Sequence, residues 1–168
     1  MMSAGATGAE GGGSASSVPP AGMTAKHLAE VVQKVAAASA RAGRSTPARL
    51  VAVGKTKPVE QLRECYDAGH RVFGENYAQE LTEKSPAMPP DTRWHFIGHL
   101  QSNKAKTLVK AVPGLAMIET VDSVKLANRL ADACVEAGRV EPLGVMVQAR
   151  SISHWSPYDP VAVVNADP

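Results

Sequence analysis

The sequence predicts an α/β chain of parallel strands, forming part of a (β/α)8 barrel of the TIM type with about five of its eight strand-helix units. Three observations carry this. Short apolar runs start at Leu50 (LVAVG), Val72 (VFGEN), Trp94 (WHFIG), Met117 (MIETV) and Leu143 (LGVMVQ), with starts 22, 22, 23 and 26 residues apart. Each gap holds one helix and two turns, the spacing of parallel strands joined by right-handed crossovers. Hydrophobic residues make up 44% of the chain but aromatic residues only 4%, so the core is aliphatic, as layered α/β cores often are. Spacing alone fits a doubly wound sheet as well as a barrel. The glycine fingerprint of a dinucleotide-binding sheet is missing, since Gly54 is followed by Lys-Thr-Lys-Pro, and this favours the barrel. A full barrel takes about 250 residues, and this chain has 168.

Residues 1–22 are mostly Gly, Ala, Ser and Pro, with one acid and no base, and are expected to be a disordered leader. They lack the basic and apolar regions of a signal peptide and the arginines of a transit peptide. Thr24 is placed to cap a helix with an apolar face of Leu28, Val31, Val32 and Val35, closed by Gly43. After the first run, Pro58 opens a helix in which Leu62 and Tyr66 share a face, and Gly69 stops it. The segment after Asn103 carries Leu108, Val109 and Val112 and ends at Pro113-Gly114. Asp122-Ser123 caps the last helix, whose expected stripe is Val124, Ala127, Leu130, Ala131 and Cys134, ending near Gly138. Residues 149–168 contain three prolines and no helical stripe, and read as a tail with one strand-like run at 161–164.

Charge excludes little but points away from some partners. Lys and Arg number 18 against 16 Asp and Glu, so a net charge of +2 makes no case for nucleic acid or an anionic membrane. No apolar stretch reaches the roughly 18 residues of a bilayer span. Cys65 and Cys134 lie in helical stretches without a disulfide pattern, which fits reduced thiols and a cytoplasmic location.

Chemistry in parallel α/β units gathers where strands end and loops begin. Three such ends are polar: Gly54-Lys55-Thr56-Lys57-Pro58, Gly74-Glu75-Asn76-Tyr77 and Gly98-His99-Leu100-Gln101-Ser102-Asn103-Lys104. A lysine at a strand mouth, partly desolvated, supplies the neutral amine that condenses with an aldehyde, although most strand-end lysines are simply solvated. Lys57 shares the parity of Lys55, and composition does not choose between them. His95 and His99, four apart, would share a face of a strand, but no third ligand completes a zinc site, so both read as structural. Lys104, Lys106 and Lys110 read as a solvated helix face. Met117 and Met146 read as core.

The runs VAVGKTKP, FGENYAQE and WHFIGHLQSNK, in this order and spacing, resemble the signature segments of the pyridoxal 5′-phosphate (PLP) homeostasis family, the YggS/PROSC-like proteins. The similarity covers residues 24–148. It implies a barrel like the N-terminal domain of alanine racemase, here as an incomplete PLP-binding domain over residues 23–148 followed by a non-homologous tail at 149–168. It implies PLP as cofactor, held as a Schiff base on Lys55, with Asn76 near it. Where the family commonly has Ser before that lysine, this chain has Gly54. The family's later strand-helix units, which grip the phosphate, have no counterpart after Gln148, so a truncated chain is expected. The function so implied is a non-catalytic PLP carrier in vitamin B6 homeostasis, with PLP-dependent apo-enzymes as recipients. Two alternatives stand beside it: a PLP-dependent racemase-like enzyme, which would need a second acid/base, and an isoform without cofactor.

Overall fold

The computed structural model describes residues 22–148; all of the expected 1–22 leader but Gly22, and the tail at 149–168, lie outside the described residues. The chain runs α1 (Met23–Arg41), β1 (Ala52–Val53), α2 (Val59–Asp67), β2 (Val72–Glu75), α3 (Ala78–Lys84), a 3-10 turn (Ser85–Ala87), β3 (Arg93–Phe96), α4 (Ala105–Ala111), β4 (Leu115–Val121), α5 (Val124–Glu136) and β5 (Gly144–Val147). The five strands form one parallel sheet in the order β1-β2-β3-β4-β5. Neighbours in space are thus neighbours in sequence, and among the described strands the order never reverses as it does at the switch point of a doubly wound sheet.

Alternation along each strand sorts the sheet into two faces. Phe73, Trp94, Phe96 and Ile118 are essentially fully buried and pack with Leu62, Leu81, Leu108, Leu126 and Leu130 of the helices in one core. The opposite face carries Gly74, against which Val51 and Ile97 close, together with His95 and its register partner Met117. Three of the run starts, Val72, Trp94 and Leu143, fall at or within one residue of a strand start, while β4 begins two residues before Met117. Of the first run only Ala52 and Val53 are strand, because the turn at Gly54 follows at once.

Several details differ from expectation. Thr24 is not the cap of α1: the helix begins at Met23, after Gly22 in the left-handed region at φ 86° with no side-chain cap bond, a conformation that glycine adopts without strain. Gly43 and Gly69 do end their helices with positive φ. On α1, Leu28 and Val35 are half-buried but Val31 and Val32 remain exposed, since α2 is the helix that packs against it. Ser123 caps α5 as expected, its Oγ accepting from the Leu126 amide. The buried stripe of α5, however, is Leu126, Leu130 and Ala133, while Val124 is exposed. Both stripes have helical spacing, and the one with two leucines removes more apolar area from water. Met117 and Met146 are half-buried rather than core.

Candidate functional site

Lys55 and Asn76 both lie just past the ends of neighbouring strands, at the C-terminal edge of the sheet. The Gly54 amide donates to the Gly74 carbonyl at 2.9 Å, and the Ile97 amide donates to the Glu75 carbonyl at 2.9 Å. Lys55 and Asn76 are therefore each the first residue beyond the hydrogen-bonded part of neighbouring strands. Lys55 is exposed and makes no hydrogen bond or ion pair among the described residues. The desolvation expected of a strand-mouth lysine is not present, because among the described strands β1 has a neighbour on one side only. Lys57 is exposed as well. Its amide closes a four-residue turn onto the Gly54 carbonyl at 2.9 Å, which ends the strand alternation and removes the shared parity of Lys55 and Lys57.

The turn that carries Lys55 is unusual. Thr56 has φ 59°, a left-handed conformation that a β-branched residue rarely adopts. Its amide donates to Glu80 Oε2 at 2.9 Å. The same oxygen accepts from Lys84 Nζ at 2.7 Å, and Lys84 also donates to Glu75 Oε1 at 2.9 Å and to the Gly54 carbonyl at 2.8 Å. Lys84 thus uses all three of its donors. Glu75 is wholly buried, and burial pushes its carboxyl above the ordinary value while Lys84 pulls it partly back. Glu80 lies below its ordinary value because Lys84 donates to it. Gly54 fits closely into this arrangement: a Cβ there would lie 2.7 Å from Glu75 Oε1 and 2.9 Å from a Leu62 methyl, so these side-chain ends would have to shift.

Asn76 is half-buried, and its Oδ1 is buried without a hydrogen-bond partner among the described residues. Beside it, a Cβ on Gly98 would fall well inside contact distance of the Asn76 carbonyl oxygen, so only glycine lets the β3 rim approach this closely. Thr120 at the end of β4 donates to the Gly98 carbonyl at 2.5 Å. A groove of about 570 Å³ opens between the β2–α3 and β3–α4 loops, lined by Asn76, Glu80, His99, Gln101 and Lys104 among others. Lys55 does not line it, so Lys55 and Asn76 share an edge and not a cavity.

The two histidines part company. His95 is buried in β3 and its Nδ1 lies 2.7 Å from Glu119 Oε1. His99, beyond the end of β3, is exposed and 3.7 Å from Asp122. The expected shared strand face fails because β3 stops at Phe96. Lys106 and Lys110 both pair with Glu136 on α5. Cys65 and Cys134 are free, and burial pushes both thiols up. Sequence reasoning missed Glu75, Glu80 and Lys84 as a unit. The Glu80–Lys84 spacing of four on a helix was the available signal, but nothing local links it to Gly54, thirty residues earlier.

No family model matches the chain. It is 45% identical over 150 residues to the pyridoxal phosphate homeostasis protein of Mus musculus, covering 82% of this chain and 54% of that protein. It is 40% identical over 129 residues to the pyridoxal phosphate homeostasis protein of Escherichia coli strain K12, covering 74% and 53%. Among solved structures it resembles PipY of Synechococcus elongatus PCC7942 with PLP bound, at a TM-score of 0.55 and 37% identity, covering 69% of this chain and 50% of that one. The chain spans about half the length of the curated relatives it matches, and over that span it is a homologue of the pyridoxal phosphate homeostasis protein family.

Proposed function

We propose that this chain carries the lysine-bearing half of a PLP-binding barrel, and that it holds PLP covalently through Lys55 without catalysing turnover. The observation that carries the reading is the position of Lys55: an exposed amine, free of partners among the described residues, presented at the C-terminal edge of a parallel sheet beside Asn76. The aldehyde of PLP, when bound, supplies an electrophile with which an amine condenses, releasing water. The residues present fit such a group. Lys55 offers the nucleophile on a turn fixed on both sides, and the unpartnered Oδ1 of Asn76 offers a nearby acceptor.

The sequential strand order supports a barrel arc, with residues 23–148 as the incomplete domain. The relatives' naming as homeostasis proteins supports a carrier that hands PLP to apo-enzymes. Two free thiols agree with a reducing, cytoplasmic setting. The test is to add PLP, reduce with borohydride and map the modified lysine by mass spectrometry. Modification concentrated at Lys55 is expected. Modification at Lys57, or none above the other surface lysines, would overturn the reading.

A further inference from the structure

We propose that Lys84, with Glu75 and Glu80, is a positioning device that holds Lys55 in its reactive place by gripping the backbone on both sides of it. The inference rests on the assignment of Lys55 above and adds residues with no direct part in it. Lys84 donates to the carbonyl of Gly54, the residue before Lys55, and Glu80 accepts from the amide of Thr56, the residue after it. Both contacts meet in one ammonium–carboxylate pair, Lys84 with Glu80 at 2.7 Å. That pair is anchored in turn by Glu75, whose side chain is 0% exposed.

Three independent features converge on this turn. The left-handed Thr56 is a strained residue that relaxes unless its surroundings hold it, and the Glu80 carboxylate is the group that bonds its amide. A Cβ on Gly54 would lie 2.7 Å from Glu75 Oε1, so the carboxylate sits directly behind the turn. Lys84, with a side chain only 12% exposed, spends every donor on this one locus, which a surface lysine does not do. Freed from the grip, residues 54–57 would sample other turn conformations. Lys55 would then lose its preference over Lys57 as the amine presented at the sheet edge. Lys84 donates to Gly54, Glu75 and Glu80 and not to Lys55, so its role is to fix geometry.

The experiment compares the parent chain with Glu80→Gln, Lys84→Met and Lys84→Arg, first by amide hydrogen exchange at Thr56 and then by PLP addition, borohydride reduction and mapping of Lys55 against Lys57. Exchange at Thr56 is expected to speed up about tenfold in Glu80→Gln and more in Lys84→Met, the size expected from losing a charge-assisted hydrogen bond. The Lys55-to-Lys57 labelling ratio is expected to fall with it, and Lys84→Arg is expected to restore part of both. Because Lys84→Met leaves Glu75 buried without its cation, it is scored only if its circular dichroism matches the parent; otherwise Glu80→Gln, which keeps the Glu75–Lys84 pair, decides. Unchanged Thr56 exchange and an unchanged labelling ratio in the deciding variant would overturn the positioning role. Parent labelling away from Lys55 would overturn the cofactor assignment instead, and the exchange data would still report whether the grip exists.

Discussion

His95 on β3 and Glu119 on β4 face each other, with Nδ1 and Oε1 2.7 Å apart. The histidine is 3% exposed, so the carboxylate is what satisfies a ring nitrogen that water does not reach. Glu119→Leu is expected to cost about 1–3 kcal/mol, the penalty of leaving a buried polar atom unpaired. Urea denaturation at neutral pH measures it, and a loss below about 0.5 kcal/mol would show that the bond is incidental.

Gly98→Ala is expected to be more damaging, at about 3 kcal/mol or more. The obstacle to the added methyl is the backbone of Asn76, which cannot rotate away as a side chain does. The same variant should displace the rim on which Asn76 sits. Denaturation gives the stability, and PLP trapping at Lys55 gives the effect on the edge. Parent-like values in both would refute the close approach of the two rims.

Gly54→Ser should be milder, about 1 kcal/mol. Here the nearest atoms are the carboxylate of Glu75 and the methyls of Leu62, both ends of side chains that shift by rotation. The PLP homeostasis family, as the sequence resemblance has it, commonly carries Ser at this place, so the serine variant should keep its PLP trapping. A cost at Gly54 equal to that at Gly98 would contradict the distinction between a side-chain and a backbone obstacle.

Acid should act on the grip around Lys55 with a definite sign. Glu80 lies below its ordinary value of 4.5 because Lys84 donates to it. Its contribution is therefore fully present above about 4.5 and lost as the pH falls through the lower, folded-state value. Glu75 has the opposite sign: burial holds it above 4.5, so its contribution favours folding at low pH and fades as the pH rises from 4.5 through the raised value. In Glu80→Gln, the fall in melting temperature from about pH 5 to pH 3 should be smaller than in the parent chain. It should not vanish, since Asp91 and Glu136 are also held low, by Tyr66 and by Lys106 and Lys110. A fall as steep as the parent's would remove Glu80 from the account.

Much of the fold was legible because it repeats. Five apolar runs separated by helix-length gaps forecast five parallel strands, and Gly43, Gly69 and Ser123 marked ends that the chain respects. Composition is weaker where two helical stripes compete, as on α5, because the choice depends on which side meets the sheet. The places of Lys55 and Asn76 just beyond two strand ends were legible from runs that are each local in sequence.

The sequence by itself determined the strand-helix rhythm, the aliphatic core and the lysine at the end of the first strand, since each depends on residues within a turn or a strand of one another. Only the tertiary structure decided what holds that lysine. Gly54, Glu75, Glu80 and Lys84 are spread over thirty residues, and folding brings them within 3 Å of shared partners. No local pattern encodes that meeting, because a buried carboxylate, an ammonium and a strained turn become one unit only when adjacent strands align and α3 packs back over the edge of the sheet.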